Sequence, residues 1–584
     1  MKLLLLLFIS LSFSSVGQHY KVKEIDFENI ALAPPMSIPL ILAGNFGEMR
    51  ANHFHSGLDI KTQGVEGQSI YAVEDGYISR VRNSEWGYGK ALYIDHPNGL
   101  TSLYAHLNRF TPAIEQLLYA QQKRLESDAV DENVLVDSFF VKKGELIAYS
   151  GNSGSSYAPH LHFEIRETAT EHALNPLLFT CYRSKIKDTT PPNMIGIKLY
   201  AITEKGYMIP GKSIYYSCTK GKDNYEINNG EPIDISDLMA ENSLLGIGFH
   251  TTDRLDAAGN ICGIHHSTLS KDGQKKHEQK IDYLIFDHNR FMNSHQDYFE
   301  FKQNKKNIHK NFTTVINPLE IYPQNDGKFD WKTCAGKYEF KSVDVHGNSI
   351  TLLFTIGPNL SASPTQNPFD QPHSYLFPDS VNTYLKADFQ VLMEPGCFYE
   401  PLQIVYRTES SDQYFSDIFQ FSEENIPVQN KFDVRIKTHK LPADFPVYKL
   451  GIASLSDRGG LSFIGGHYID GWVECQPRKF GKYVIVVDSI APKINPLDFA
   501  EGKTITKFST LELSITDNLA GIKTYKAYIN GTWVLTNYDR KKGRYIIPLD
   551  KHSKPLLVSG TNELRITSDD YKGNESTVTY QLIY

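Results

Sequence analysis

The stretch "APHLHFEIR", residues 158–166, alternates polar and apolar side chains along its length. A period of two residues is typical of a β-strand with one face in a hydrophobic core. The pattern therefore predicts a half-buried strand that presents two imidazoles, a carboxylate and a guanidinium on its other face. The apolar positions are Leu161, Phe163 and Ile165, and the polar positions are His160, His162, Glu164 and Arg166.

Two histidines on one face of a strand indicate a metal site, although a single strand histidine is more often structural. Residues two apart on a strand lie about 6.6 Å apart, so both imidazoles can reach one reaction centre. A catalytic zinc ion takes three protein ligands and keeps a fourth position open. The segment "NHFHSGLDIKT", residues 52–62, offers His55 and Asp59, provided that the chain bends at "SG" between them. One of the strand histidines would complete the set.

Two further segments, residues 73–107 and 141–154, predict short strands and tight turns, because "EDG" and "PNG" are hairpin turn signals. With these segments the sequence resembles the lysostaphin and LytM-type zinc endopeptidases, which cut cell-wall peptidoglycan. The resemblance covers roughly residues 40–180, and its landmarks occur in the family's order. They are Phe46-Gly47 with Arg50, His55-Ser-Gly-Leu-Asp59, Glu74-Asp75-Gly76, Gly87-Tyr88-Gly89, Tyr104-Ala-His106-Leu, Gly144 to Gly151, and Pro159-His160-Leu-His162-Phe-Glu164.

The resemblance implies a role for each matching residue. His55, Asp59 and His162 would bind Zn²⁺. His106 and His160 would be the catalytic pair that faces the attacking water and the substrate. These two histidines would divide proton transfer and oxyanion stabilisation between them, and the sequence leaves open which does which.

Three more residues are candidates for contacts to the ligands or for the substrate groove, namely Arg50, Tyr104 and Glu164. For Glu164, a position that orients a ligand and a salt bridge with Arg166 are equally good interpretations.

The sequence departs from the family's pattern in two places. Residues 108–140 form an insertion, and "TPAIEQLLYAQQKRLES", residues 111–127, predicts a helix within it. Ala158 stands where the family usually has Gly. An insertion beside the groove could narrow or cover it, so the choice of substrate is not fixed by the resemblance.

Composition and charge limit the classes of protein to which this chain could belong. A chain of 584 residues is too long for one hydrophobic core, so we expect three to five domains. The 34 Tyr and 32 Phe favour β-structure. A formal charge of −7 gives no reason to expect a nucleic-acid partner.

The N-terminus has the layout of a secretory signal peptide. Lys2 precedes an apolar run that small residues follow, which predicts cleavage after residue 17. The alternative is a membrane anchor, but the run is short for spanning a bilayer. We therefore expect an exported protein of the periplasm, cell envelope or extracellular space, without a transmembrane segment in the mature chain.

The six cysteines lie far apart and show no Cys-x-x-Cys spacing, which argues against a zinc finger or a thioredoxin-like site. Disulfides in an exported protein and isolated buried thiols are both compatible with this spacing.

The fold class that the sequence predicts is mainly β, with a compact antiparallel-sheet peptidase domain followed by several β-sandwich, immunoglobulin-like modules. Pro-bearing segments that start at Asp188 and Asp488 mark module borders. The predicted division is a signal peptide at 1–17, the peptidase domain at 18–187, a β-rich region at 188–357, a linker at 358–375, a β-rich domain at 376–487 and a final β-sandwich at 488–584.

The spacing Asp-x-x-Gly-Asn recurs at residues 256–260, 344–348 and 570–574. Gly, Asp and Asn are turn formers, so the motif predicts hairpin turns. A calcium loop is the alternative, but one motif supplies too few acidic oxygens for a dedicated site.

Two functions from different classes are compatible with the sequence. The first is an exported zinc endopeptidase that hydrolyses peptide cross-links of peptidoglycan, with peptide stems of the wall as its substrate. The second is a non-catalytic envelope protein that binds wall peptide or regulates another hydrolase. In either case the C-terminal β-modules could contact other envelope proteins.

Overall fold

The computed structural model describes residues 25–135, 138–222, 224–228, 232–238, 243–323, 326–358, 369, 375–506, 509–550 and 552–584. The predicted signal peptide and nearly all of the predicted linker lie outside these residues. The described chain is mainly β, with an antiparallel-sheet domain followed by further β-modules, which confirms the predicted fold class. No helix in these ranges is both long and apolar enough to span a bilayer.

The N-terminal domain is built on one antiparallel sheet. The strand His160–Glu167 lies at its centre, between Leu58–Lys61 and Leu100–Phe110. The strands of this domain are Leu42–Gly44, Met49–Arg50, His53–Phe54, Leu58–Lys61, Ser69–Tyr71, Gly76–Asn83, Lys90–Asp95, Leu100–Phe110, Val130–Asn133, Phe140–Val141, Leu146–Ser150, His160–Glu167 and Ala173–Leu174, and a short helix Thr180–Arg183 follows them.

The central strand buries the apolar face that its alternation predicts. Leu161, Phe163 and Ile165 are each 0% exposed and belong to the main core of the domain. Burial of a large apolar side chain contributes about 1.5–3 kcal/mol. A slip of one residue would turn these three side chains outward and the histidines inward, so the core fixes the register.

The helix in the insertion runs from Pro112 to Leu125 and ends at Glu126, which has a φ of 48°. Ile114 and Leu118 anchor it in the core of the domain. The strand after the helix, Val130–Asn133, pairs with the sheet, so the insertion is an integral part of the domain.

The region after the peptidase domain has its own sheet and core. Side chains of residues 281–322 pack on Phe46, Met49 and Phe54 of the N-terminal domain, and the strand Ile308–Lys310 within this segment pairs with the sheet. The strands are Asn193–Thr203, Met208–Lys220, Tyr225–Ile227, Ser243–Thr252, His266–Lys271, Gln274–Lys280, Tyr283–Leu284, Ile308–Lys310, Phe329–Asp330, Gly336–Val343 and Ser349–Ile356, and the helices are Phe286–Asn289, Met292–His295 and Tyr298–Asn304.

Two sandwiches complete the chain, each with one core shared by two sheets. The strands of the first are Tyr375–Leu376, Asn382–Leu385, Phe389–Met393, Leu402–Gln403, Tyr406–Glu409, Ile418–Phe421, Asp433–Lys437, Leu450–Leu455, Leu461–Gly465, His467–Ile469, Trp472–Cys475 and Gly481–Val487. Those of the second are Lys493–Pro496, Thr510–Thr516, Ile522–Ile529, Thr532–Val534, Asn537–Asp539, Arg544–Pro548, Thr561–Asp570 and Glu575–Ile583. All six cysteines, which lie within the described ranges, are free thiols.

Candidate metal centre

Strand register and one glycine bring the predicted ligands together. Asp59 lies directly opposite His162 in the antiparallel pairing. His55 reaches them because the chain bends at Gly57. A Cβ at Gly57 would lie 2.5 Å from the carbonyl oxygen of Phe163, so the close approach of the two segments requires glycine.

The three donor atoms converge in a buried pocket. Nε2 of His55 lies 3.1 Å from Oδ1 of Asp59 and 3.0 Å from Nδ1 of His162. Nδ1 of His162 lies 2.9 Å from the same carboxylate oxygen. Ligand atoms around a tetrahedral zinc ion lie about 3.3 Å apart, given bonds of about 2.0–2.1 Å. The observed spacing is close to this value.

The hydrogen bonds on the far sides of the two imidazoles fix their tautomers. Nδ1 of His55 donates to the carbonyl oxygen of Asn45 at 2.7 Å, and Nε2 of His162 donates to Oε1 of Glu164 at 2.8 Å. When His162 carries only this one proton, the other ring nitrogens direct lone pairs at each other and at the carboxylate of Asp59. Three acceptors that converge in this way repel one another unless a cation lies between them, so the residues fit a divalent metal ion.

The electrostatics of the pocket also favour a cation. Burial lowers the pKa of His55 to about 4, so this ligand is neutral at pH 7. Burial opposes protonation of His162 as well, but its hydrogen bonds to Asp59 and Glu164 outweigh burial and raise its pKa to about 9. A proton on His162 thus takes the place that a cation would occupy, and metal binding would release it.

Glu164 holds His162 from behind and satisfies both interpretations of its role. Its Oε1 accepts from Nε2 of His162 at 2.8 Å, from the hydroxyl of Ser56 at 2.6 Å and from the hydroxyl of Tyr88 at 2.6 Å. Its Oε2 accepts from Nε of Arg166 at 2.8 Å. Glu164 is 0% exposed, and beside Arg166 its pKa lies well below the usual range although burial acts against this.

Arg50 holds the carboxylate of Asp59 from the other side. Its Nη2 donates to Oδ2 at 2.6 Å, which leaves Oδ1 to face the histidines. The backbone beside His55 is tied to the following region, because Asn45 accepts from the backbone N–H of Gly263 at 2.9 Å. The second region therefore helps to position a ligand of the first.

The two predicted catalytic histidines lie side by side next to the cluster, with ring centres 4.7 Å apart. Nδ1 of His106 donates to the carbonyl oxygen of Ser153 at 2.9 Å, and Nδ1 of His160 donates to that of Ala158 at 2.8 Å. Each ring keeps its Nε2 lone pair for the site, and Nε2 of His160 lies 3.4 Å from Oδ1 of Asp59. Burial lowers the pKa of His106 to about 3, so this ring is neutral.

His106 reaches the site through a break in its strand. Simple alternation would place it on the same face as Tyr104, in the core. The strand instead carries a bulge opposite Lys90 and Leu92, and His106 adopts a φ of 58°. The irregularity turns the imidazole toward His160.

The prediction that Tyr104 contacts the ligands or the groove is wrong. Its side chain is 0% exposed and packs on Phe163 in the core. Its hydroxyl accepts the backbone N–H of Val73 at 2.9 Å. Tyr104 therefore lies on the apolar face of the sheet, where its contacts stabilise the fold.

The sequence analysis missed four residues that support the site. Tyr88 and Ser56 bind Glu164, and both lie in motifs that the resemblance had already marked. Asn45 and Ser153 contribute backbone carbonyl oxygens to the two imidazoles. Any residue can supply such an oxygen, so the sequence carries no signal for these two.

The C-terminal sandwich lies against loops beside the site. Cζ of Arg540 stands 3.4 Å from the ring centre of Trp86, and Nζ of Lys526 lies 2.7 Å from the carboxylate of Glu126 at the end of the inserted helix. Lys541 donates to the carbonyl oxygen of Asn152. A cleft of about 520 Å³ lies between the two modules.

Two sequence profiles match this chain. Residues 53–124 and 128–176 match peptidase family M23, and residues 373–488 match the Zu5-like domain. The DD-carboxypeptidase/endopeptidase Mpg of Neisseria meningitidis serogroup B (strain MC58) is 33% identical over 112 residues, which is 19% of this chain and 20% of that protein. An uncharacterized metalloprotease of Haemophilus influenzae is 31% identical over 123 residues, 21% of this chain and 20% of that protein. The chain thus spans about a fifth of the length of these curated relatives.

Solved structures also resemble a part of the chain. The catalytic domain of lysostaphin from Staphylococcus simulans is 24% identical, with 24% of this chain and 91% of that chain covered and a TM-score of 0.18. A zinc-containing peptidase from Vibrio cholerae is 23% identical, with 25% and 40% covered and a TM-score of 0.19. The M23 profile match falls on the segment that holds the three converging ligands. The domain that carries the candidate metal centre therefore matches peptidase family M23.

Proposed function

We propose that this chain is an exported zinc endopeptidase that hydrolyses peptide cross-links of bacterial peptidoglycan. The observation that carries the proposal is the convergence of three ligand atoms, from His55, Asp59 and His162, beside the imidazoles of His106 and His160. The Neisseria relative is a DD-carboxypeptidase/endopeptidase by name, which supports a peptidase of this kind. The signal-peptide layout of the N-terminus supports export.

His55, Asp59 and His162 would hold the zinc ion. When bound, zinc supplies a Lewis acid that activates water and polarises a peptide carbonyl. Glu164 and Arg50 orient His162 and Asp59 from outside, and residues of this kind typically change metal affinity 10–100-fold.

His106 accepts the proton of the attacking water on Nε2, because its Nδ1–H is engaged by Ser153. Its burial keeps the ring neutral at pH 7, so Nε2 carries no proton before the reaction. The proton that His106 takes from water passes on to the leaving amine, and His160 presents a second Nε2 on the same side of the cluster. Each ring is held by a backbone carbonyl, so neither needs to reorient during the reaction.

The C-terminal sandwich would restrict which substrates reach the groove. Its contacts with Trp86, Asn152 and Glu126 place it beside the loops that flank the catalytic pair. A wall polymer would meet both modules, whereas a short soluble peptide would meet only the peptidase domain. The same surface could contact other envelope proteins.

Digestion of purified sacculi, with mass spectrometry of the released muropeptides, tests the proposal. Wild type should release muropeptides, and His162→Ala should lose both zinc and activity. His106→Ala should keep zinc but lose activity by about 10²–10⁴-fold. The control His53→Ala changes a nearby histidine whose ring contacts Ala51 and should behave as wild type.

A wild-type protein that binds zinc but releases no muropeptides would contradict the proposal and favour the regulatory alternative. Cleavage of casein without muropeptide release would identify a protease that acts on proteins instead.

A further inference from the structure

Two modules of the chain contain the same arrangement of three aspartates, all of them buried except Asp517, which is half-buried. In each, the first aspartate opens the module, the second follows a central strand and the third begins an Asp-x-x-Gly-Asn turn. The three carboxylates offer oxygens that all lie within 4.8 Å of one another. The clusters are Asp188, Asp253 and Asp344 in one module, and Asp488, Asp517 and Asp570 in the other.

The turn motif locks the third aspartate of each cluster to the first. Oδ1 of Asp344 accepts from the backbone N–H of Asn348 at 2.9 Å, and the side chain of Asn348 donates to the carbonyl oxygen of Asp188 at 3.1 Å. The other module repeats both contacts with Asn574, at 2.9 Å to Asp570 and at 3.1 Å to the carbonyl oxygen of Asp488. The recurrence in the sequence therefore reflects a repeated three-dimensional arrangement.

Hydrogen bonds do not satisfy the cluster in the first module. The side chain of Asp188 is fully buried, and its Oδ2 accepts no hydrogen bond from the described residues. The nearest imidazole, that of His346, approaches this oxygen only to 4.0 Å. Because Nε2 of His346 donates to Ile186, its Nδ1 faces Asp188 with a lone pair rather than a proton. A buried anionic oxygen without a partner is costly and needs an explanation.

The second module shows the same deficit. Oδ1 of Asp517 is shielded from solvent and accepts no hydrogen bond from the described part of the chain, while its Oδ2 accepts two backbone N–H groups. Each module thus contains a carboxylate oxygen, shielded from solvent, that the described residues leave without a hydrogen bond.

We propose that each of the two clusters binds one calcium ion. Calcium takes oxygen ligands at about 2.3–2.6 Å, so ligands on opposite sides of the ion lie about 4.6–5.2 Å apart. Oxygens that lie within 4.8 Å of one another fit this size. The ligands common to both modules are carboxylates only, because Lys572 stands in one module where His346 stands in the other. A set of hard oxygen ligands selects calcium over zinc.

The Asp-x-x-Gly-Asn motif forms the predicted hairpin turn at residues 344–348 and at residues 570–574. One motif supplies too few acidic oxygens for a site, but the fold adds two aspartates from distant segments. The third copy of the motif, at residues 256–260, opens with Asp256, whose carboxylate lies beside Asp188 at the rim of the first cluster.

Both clusters lie where one module joins the next. His346 binds the carbonyl oxygen of Ile186 at the end of the peptidase domain, and Lys449 of the first sandwich donates to Asn574 at 2.6 Å. Bound calcium would therefore stiffen both joints and hold the C-terminal sandwich against the loops beside the metal centre. The inference does not depend on the proposed peptidase activity.

Calorimetric titration of the full chain with CaCl₂, after zinc has been added to occupy the His55 site, tests the proposal. Wild type should bind two calcium ions per chain. Asp188→Asn and Asp517→Asn should each bind one, and the double variant none. Asparagine keeps the shape and one oxygen but removes the charge. The control Asp457→Asn removes a carboxylate whose side chain is 91% exposed and should leave two sites.

Thermal unfolding separates a metal site from a purely structural carboxylate. Calcium should raise the melting temperature of wild type, and this rise should be absent from the double variant. In a chelator, the double variant should be at least as stable as wild type, because it relieves repulsion. Two results would overturn the proposal. The first is that wild type binds no calcium at concentrations several times the millimolar dissociation constants of extracellular calcium-binding modules. The second is that the variants bind as many calcium ions as wild type does.

Discussion

Replacement of Glu164 by Gln tests whether the network behind His162 controls metal binding. Glu164 is 0% exposed and accepts four hydrogen bonds, three on Oε1 and one on Oε2. Glutamine offers one acceptor oxygen and one amide. If the oxygen stays with His162, the amide N–H groups face the guanidinium of Arg166, and donors then oppose donors.

The expected losses follow from these contacts. Without the carboxylate, His162 is a less basic and less firmly oriented ligand, so zinc affinity should fall about 10–100-fold, or about 1.4–2.7 kcal/mol. The loss of a buried partner for Arg166 should in addition lower the stability of the metal-free domain by about 3 kcal/mol or more.

Competition with a chromophoric chelator measures the zinc affinity, and thermal unfolding of the metal-free protein measures the second effect. The matched control is Glu171→Gln, the same chemical change at a side chain that is 68% exposed and 3.6 Å from Arg166. Its zinc affinity should equal that of wild type. The reasoning is refuted if Glu164→Gln binds zinc within about twofold of wild type, which is far less than the 10–100-fold change expected for residues that orient ligands.

Three further predictions concern close packing, buried histidine and the contact between modules. Gly57→Ala should weaken zinc binding and destabilise the domain by about 1–3 kcal/mol, as measured by chelator competition and thermal unfolding. The control Gly259→Ala should change neither quantity, because an added Cβ there meets nothing within 4 Å. Burial lowers the pKa of His309 to about 3. The contribution of the neutral ring to the free energy of unfolding is therefore complete above pH 6.5 and is lost as the pH falls toward 3. Hydrogen exchange of its strand should show about 2 kcal/mol less protection at pH 5 than at pH 7, and equal protection would contradict this. Arg540→Ala should remove the contact with Trp86. The rate of hydrolysis of intact sacculi should fall, whereas that of a soluble muropeptide should not change. Equal effects on both substrates would argue against a role of the C-terminal sandwich in substrate choice.

Most of the candidate centre could be predicted because its signals are local. The alternation in residues 158–166 predicts which side chains enter the core, and Leu161 is buried as expected. The need for a bend between His55 and Asp59 follows from the geometry of a strand. The predicted helix begins and ends within two residues of its expected bounds.

The positions of Tyr104 and His106 show where local reasoning ends. Both residues lie on one strand, and strict alternation would have placed them on the same face. The bulge that puts the two side chains on different faces depends on pairing with a neighbouring strand, and no local sequence pattern predicts it. The resemblance to a family, rather than periodicity, singled out His106.

The sequence by itself determined the mainly β class, the face of the central strand and the identity of the three residues that converge at the candidate centre. Only the tertiary structure decided the side of the sheet on which His106 lies, the anchoring of the His55 segment by a later region, and the grouping of Asp188, Asp253 and Asp344. The physical reason is the distance along the chain over which each effect acts. Backbone periodicity and turn chemistry act over a few residues, whereas a metal site forms from side chains that strand register and core packing bring together from distant parts of the chain.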